Sequence, residues 1–291
     1  MFRSLKNILY IKELIKKAVR GIKRKYKAKD IGIATSVSSG FKDLDRIISC
    51  FGTGNFIVIA GRPSMGKSAF ALNIAQHVAI TKKIPVLFFS LQMPKEELVQ
   101  KILSCHTGVD IHKVREGSLD NADWPRITGA AGRLSEAPIF IDDSLNLSVD
   151  ELCTKARKLK RKQNIKLIII DYLQLLSGSD KGKYNQDEMR WICRSLKTLA
   201  EDLQIPIMAT SQLSREADLC ASYRPHLCDL KPDAIEQDAD IFILLFREER
   251  YNPTPENQNR AEVIVAKNRT GPLGTVHLKF LGSCMRFEDI S

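Results

Sequence analysis

From residue 54 onward, short apolar runs rich in β-branched residues alternate with longer stretches whose apolar positions recur at three- and four-residue steps. The runs occupy 56–60, 85–91, 138–142, 166–171, 206–211 and 240–246, and two more, 262–266 and 274–280, follow without a long helical stretch between them. A strand that alternates with an amphipathic helix predicts parallel pairing, because a crossover helix must carry the chain back before the next parallel strand can start. The last two runs predict an antiparallel hairpin region that finishes the sheet. The expected fold class is therefore α/β with a mostly parallel central sheet. The chain opens on a different pattern. Phe2, Leu5, Ile8, Leu9, Ile15, Val19 and Ile22 recur at helical spacing among Lys and Arg. Residues 2–26 thus predict one basic amphipathic helix whose apolar stripe needs a partner.

Charge sharpens that division. The formal net charge is +11, yet eleven Lys/Arg against Glu13 and Asp30 place +9 of it within residues 1–30. A basic balance points to nucleic acid or another acidic surface, here mainly for the first segment. Docking on a protein surface is the preferred reading of the helix. Charges interrupt every apolar run, which argues against a secretory signal, and the Lys-rich composition suits a transit peptide poorly. At 291 residues the length suits either two domains or one α/β domain with an extension. Seven cysteines without a C-x-x-C pair predict reduced thiols in a cytoplasmic setting. Cys220, His226 and Cys228 lack a fourth ligand at the usual spacing, so no zinc site is expected there. No apolar run approaches the roughly 18 residues of a membrane span, so no membrane partner is expected.

The chemistry is concentrated after the first strand. Phe56-Ile57-Val58-Ile59-Ala60 runs into Gly61-Arg62-Pro63-Ser64-Met65-Gly66-Lys67-Ser68, a G-x-x-x-x-G-K-S loop, and Ala69–Ile80 then reads as a helix. In such a loop Gly61 and Gly66 let the backbone turn so that its N–H groups face the phosphates of a nucleoside triphosphate. Lys67 neutralises the β/γ oxygens, and the Ser68 hydroxyl can ligate Mg²⁺. The helix N-terminus adds to the anion site. Leu167-Ile168-Ile169-Ile170-Asp171 is a buried strand ending in an acid, the placement in which a carboxylate holds Mg²⁺ opposite the loop. Gln212, after the strand at 207–211, can sense the γ-phosphate through amide hydrogen bonds; spacing alone fits a surface glutamine equally well. Residues 177–187 and 213–233 follow strand C-termini, where open α/β sheets bind ligands.

Six segments in one order closely resemble the successive motifs of the DnaB-type replicative DNA helicases: Arg62–Ser68, Phe89-Ser90-Leu91-Gln92-Met93-Pro94, Ile170-Asp171-Tyr172-Leu173-Gln174-Leu175, Ser211-Gln212-Leu213, Ile235-Glu236-Gln237-Asp238-Ala239-Asp240 and Lys267-Asn268-Arg269-Thr270-Gly271-Pro272. The match runs from about Gly40 to Phe287. The resemblance implies a RecA-like P-loop NTPase core over 31–291 with 1–30 as a linker helix, a homohexameric ring around single-stranded DNA, and ATP with Mg²⁺ bound between neighbouring subunits. It implies that Lys267 and Arg269 reach the neighbour's γ-phosphate, an arginine-finger role, and that a helicase loader or a primase is a partner.

Departures from the pattern accompany the match. Helix 2–26 stands where the family's linker helix follows a helical collar, and no collar is read here. Gln92 occupies the position where the resemblance implies a water-polarising glutamate, and an amide cannot take up the proton; losing a positioned base typically lowers rates by about 10² to 10⁴. Glu96 and Glu97 lie close by, but a helix starting at Pro94 is expected to point them away from the phosphate. The stretch Asp229-Leu230-Lys231-Pro232-Asp233-Ala234 is one residue shorter than the family's DNA-facing loop and lacks its glycine, which leaves a phosphate contact by Lys231 but fewer backbone donors. Asn268, where glutamine is frequent, should change little. Two functions follow as expectations: an ATP-dependent ring helicase, or a hydrolysis-deficient subunit that caps, loads or regulates a competent ring.

Overall fold

The computed structural model describes residues 36–178, 186–213, 223–227 and 234–290, together with Ile15 and Val19. The chain divides into two compact units, Met1–Ser36 and Val37–Ser291. Ile15 and Val19 are helical; the rest of the helix expected at 2–26 lies outside the described residues.

Nine strands among the described residues form one sheet: β1 (Phe56–Gly61), β2 (Val86–Ser90), β3 (Ile139–Asp142), β4 (Leu167–Asp171), β5 (Ile207–Gln212), β6 (Ile241–Phe246), β7 (Arg260–Asn268), β8 (Gly274–Leu281) and β9 (Arg286–Asp289). Their order is β3-β2-β4-β5-β1-β6-β7-β8-β9. The first six in that order pair in parallel, and β6 to β9 pair antiparallel. The composition of the strands dictates this split. Phe-Ile-Val-Ile-Ala-Gly, Val-Leu-Phe-Phe-Ser, Leu-Ile-Ile-Ile-Asp and Ile-Phe-Ile-Leu-Leu-Phe are buried at every position, as a parallel strand covered by helices on both faces requires. β8 instead alternates buried and exposed residues along much of its length, which suits a sheet wet on one side.

The α-helices among the described residues outside the first unit are α1 (Lys42–Ile48), α2 (Lys67–Gln76), α3 (Lys95–Thr107), α4 (Ile111–Glu116), α5 (Asp123–Ser135), α6 (Val149–Gln163), α7 (Gln186–Leu203) and α8 (Ala234–Asp238). One core joins Phe41, Leu44, Phe70 and Ile74 to Ile57, Ile59 and Ile169. On the other face Leu152, Ala156, Ile192, Leu196 and Leu199 of α6 and α7 cover Val58, Ile168 and Phe242. Adjacent strand residues thus feed opposite cores, the period of two that a pleated strand imposes. α6 begins on a capping box in which Ser148 and Glu151 satisfy each other's backbone N–H groups. It ends on Lys160, Arg161 and Lys162, whose charge suits the negative end of the helix dipole.

The eight expected strands form within two residues at nearly every boundary. Two elements differ. The helix expected over 69–80 starts at Lys67 and widens into a π-type turn over His77–Thr81. β9, which pairs Phe287 with Phe280 and Arg286 with Leu281, has no expected counterpart, being four residues with three charges. Among the described residues no helix is long and apolar enough to cross a membrane.

A candidate nucleotide site at the carboxyl ends of the parallel strands

Because β1, β2, β4 and β5 run in parallel, each delivers the residue that follows it to the same edge of the sheet. That edge is where open α/β sheets hold ligands. Gly61 ends β1 opposite Gln212 of β5, and Asp171 of β4 lies opposite Ser90 of β2. The loops beyond them enclose a cavity of about 400 Å³ lined by Pro63, Ser64, Gly66, Lys67, Ser68, Gln92, Asp171 and Gln212, all expected site residues. Met93, Glu97, Lys101, Tyr172 and Met285 complete much of the wall.

The two loop glycines do different jobs. Gly66 has φ +93, a conformation L side chains rarely adopt, and a Cβ there would lie 3.0 Å from the Phe287 ring. Gly61 is the last strand residue, and a Cβ would meet the Leu245 carbonyl oxygen at 2.9 Å. It is needed for close approach and not for the turn expected of it. The remaining binding residues scatter from the cavity. Arg62 directs Nη1 at the Leu213 carbonyl, 3.4 Å away, and Met65 is buried in the core beneath the loop.

Lys67 Nζ donates to the Arg62 carbonyl at 2.9 Å, curling over the loop. Burial lowers its pKa from 10.5 to about 8; the Asp171 charge works against that shift and Arg62 adds to it. Asp171 is 1% exposed. Its Oδ1 accepts the hydroxyl of Thr210, while its Oδ2 is buried with no hydrogen-bond partner among the described residues. An orphaned carboxylate oxygen on a residue that lines the same cavity as Ser68 fits the oxygen-only, partly hydrated coordination that Mg²⁺ requires.

Gln212 is held by Gln174, whose Nε2 donates to Ser211 Oγ at 2.9 Å and to the Gln212 carbonyl at 3.1 Å. The turn carrying Gln92 is tied to the acid strand, since Leu91 N donates to the Asp171 carbonyl at 2.9 Å. Ser90 Oγ closes the turn onto the Met93 carbonyl at 2.7 Å.

Of the two glutamates expected to point away from the phosphate, one reaches the cavity wall and Glu96 is not among its lining residues. Glu97 lines the cavity, as does Lys101 one turn later. The helix begins at Lys95 rather than at Pro94, and Lys95 N is anchored by Asp143 Oδ2 at 3.1 Å. Positions 97 and 101, one helical turn apart, share the cavity face. Thr210 carries no expectation from the sequence, although it stands two residues before Gln212 on the same strand.

Lys267 and Arg269 are not brought to this cavity. Lys267 Nζ donates to the Glu236 carbonyl, and Arg269 reaches the Gln237 carbonyl at 2.6 Å and Asp240 Oδ1 at 3.3 Å. Asn268 pairs with Ile241, itself beside Ile57, whereas the phosphate loop leaves β1 at Gly61. Lys267 is likewise level with Phe242 and Val58, so at roughly 3.3 Å per strand residue three to four residues, about 10–13 Å along the strands, separate the pair from the loop. Of the 213–233 loop only Leu213 and 223–227 are described, so Lys231 lies outside the described residues, as do Cys220 and Cys228.

A nine-stranded, mostly parallel sheet with a glycine loop, a buried acid and a glutamine gathered at one edge defines a RecA-like P-loop nucleotide-binding domain. The family described as the DnaB-like helicase C terminal domain matches residues 36–289, and the chain belongs to it. The chain is 43% identical over 261 residues to the Replicative DNA helicase DnaB of Geobacillus stearothermophilus, covering 89% of this chain and 58% of that one. It thus spans less than two thirds of the length of that relative. Among solved structures, "ATPase Domain of G40P" superposes with a TM-score of 0.89 at 35% identity, covering 95% of this chain and 99% of that one. "The Structure Of A DnaB-Like Replicative Helicase And Its Interactions With Primase" gives 0.87 at 35% identity, covering 94% and 66%.

Proposed function

We propose that this chain carries the ATP-hydrolysing motor of a ring-forming replicative DNA helicase, with 1–30 as a linker helix and 31–291 as the RecA-like motor domain. The observation that carries this reading is the convergence of Gly66, Lys67, Ser68, Asp171 and Gln212 on one cavity in a chain of this family. The motor acts on single-stranded DNA, translocating along one strand and displacing the other. That a solved neighbour is described with its interactions with primase supports a primase as partner; a loader as partner rests on the family resemblance alone. A cytoplasmic location accords with the reduced thiols expected from the sequence.

Triphosphate enters with its β- and γ-phosphates against the backbone N–H groups of the loop and the N-terminus of α2. The low pKa of Lys67 reflects a buried ammonium short of compensation, which phosphate oxygens supply. Ser68 and Asp171 would hold Mg²⁺, which neutralises charge developing on the transferring group. Gln92 faces the cavity and can orient water by its amide. Gln212 couples the γ-phosphate to the loop that follows β5 and thereby to DNA. Lys267 and Arg269, apart from their own loop along the sheet, complete the site of a neighbouring copy.

The relatives' names support this reading over a hydrolysis-deficient capping subunit. Steady-state ATP turnover with and without single-stranded DNA tests it. Turnover that rises on adding the strand is expected, and ATP binding without turnover in either condition would leave the capping subunit as the function.

A further inference from the structure

Hydrolysis needs a group that orients the attacking water and accepts its proton, and the Gln92 amide offers hydrogen bonds but no proton uptake. The cavity wall presents two carboxylates among the described residues, Asp171 and Glu97. Asp171 is occupied: Oδ1 accepts from Thr210, and Oδ2 is the oxygen assigned above to the metal. Glu97 is arranged differently. Lys101 Nζ, 3.1 Å away, and Arg115 Nη2 both converge on its Oε1. Its Oε2 engages no partner among the described residues. One oxygen is tethered by two cations, and the other, on a residue that lines the cavity, carries no bond among the described residues.

We propose that Glu97 is the carboxylate that orients the attacking water and takes up its proton during ATP hydrolysis, with Lys101 and Arg115 fixing it through Oε1. This rests on the reading of the cavity as a site of ATP hydrolysis. In the step, the water oxygen forms a bond to the γ-phosphorus while the bond from that phosphorus to the bridging oxygen breaks. The bonding pair stays with ADP, and the proton leaves the water for Glu97 Oε2 and then passes to the departing phosphate. Burial works to raise the Glu97 pKa, and the hydrogen bonds and charges of Lys101 and Arg115 more than offset it, keeping the group ionised. Met93 and Lys101 are linked by a 3.4 Å contact of Nζ to sulfur, which ties the turn bearing Gln92 to the face bearing Glu97.

The competing explanation is an ion pair at i and i+4 that merely supports α3, a role that leaves turnover untouched. Three variants of the full chain separate the two: Glu97→Gln, Glu97→Ala, and Glu97→Gln combined with Gln92→Glu. ATP Kd and thermal stability are measured beside kcat. Glu97→Gln and Glu97→Ala should each lower DNA-stimulated kcat by about 10² or more with ATP Kd nearly unchanged. The double variant should recover most of the lost turnover, since a carboxylate returns to the same cavity from the adjoining turn. Native turnover in Glu97→Gln overturns the proposal, and so does a loss that Gln92→Glu leaves unrepaired. If the native chain binds ATP and never turns it over, the hydrolysis reading itself has failed, an outcome distinct from the other two.

Discussion

At the scale of single residues the phosphate loop turns on Lys67. A buried ammonium loses hydration, and the Asp171 charge restores only part of it, so the proton is held to about pH 8 in the folded chain against 10.5 for a lysine in water. Below about pH 8 both folded and unfolded chains carry this proton, and burial of the charge weighs fully against folding. Between about 8 and 10.5 the unfolded chain binds more protons, so this group's contribution to stability rises with pH across that window. Triphosphate affinity runs the opposite way, because only the ammonium neutralises phosphate oxygens. The ATP Kd should therefore be level near neutrality and rise by up to about tenfold per pH unit above pH 8. Isothermal titration across that range checks it, and a Kd that stays level to about pH 9.5 would contradict the placement of Lys67 against the phosphates. Lys67→Ala should abolish both the pH dependence and the protection that ATP gives against thermal unfolding.

At the scale of elements the loop is braced from below by strands at the far end of the chain. Phe287 of β9 meets the Phe70 ring edge-on at 5.2 Å and tilts against Phe280 at 4.5 Å. Arg247 lies over the Phe280 ring at 4.3 Å and donates Nη1 to the Ser64 carbonyl at 3.1 Å. Phe287→Ala should destabilise the fold by about 3–5 kcal/mol in urea titrations. Phe287→Leu should cost roughly 1–2 kcal/mol and raise the ATP Kd several-fold with little change in kcat, because Gly66 loses the surface it rests on. An unchanged Kd in a destabilised variant would make the brace structural only. β9 also marks where the sequence stops being legible. The parallel strands are long runs of Val, Ile, Leu and Phe whose burial is written in their composition, and the phosphate loop is a local motif. Arg286-Phe287-Glu288-Asp289 offers one apolar residue, and its pairing depends on β8 being in place. Glu97 is hidden for a similar reason: which face of α3 meets the cavity is set by tertiary packing, with Lys95 N bonded to Asp143 far along the sequence, and not by the local pattern. Lys267 and Arg269 carry no local signal of chemistry at all, and only resemblance singles them out.

At the scale of the whole molecule, the nucleotide loop and the Lys267–Arg269 pair lie apart along one sheet, so the shared site proposed above requires a head-to-tail contact between copies, and repetition of a heterologous contact closes a ring when the rotation allows it. In the proposed ring the apolar stripe expected over 2–26 is predicted to clasp a neighbouring copy. Removing 1–27 should shift a hexamer to smaller species in sedimentation velocity; a surviving hexamer with collapsed DNA affinity would instead make the segment a nucleic-acid arm. The shared site itself is best tested by mixing two dead variants. Lys67→Ala cannot hold triphosphate and Arg269→Ala cannot complete a neighbour's site, so each ring alone should lack turnover. In mixed rings an Arg269→Ala subunit supplies an intact loop, and a Lys67→Ala neighbour supplies an intact arginine. With random equal mixing, about a quarter of the interfaces are then competent, and turnover should return to a corresponding fraction of native. Arg269 also bonds buried Asp240, which keeps Lys197 at 2.7 Å and the Phe56 N–H at 2.8 Å as partners. The Arg269→Ala chain therefore retains two of the contacts that hold this acid, and its melting temperature reports any structural loss. If mixing restores nothing while both variants remain folded and hexameric, Arg269 does not act on the neighbour's nucleotide, and its bonds to Asp240 and Gln237 are its function.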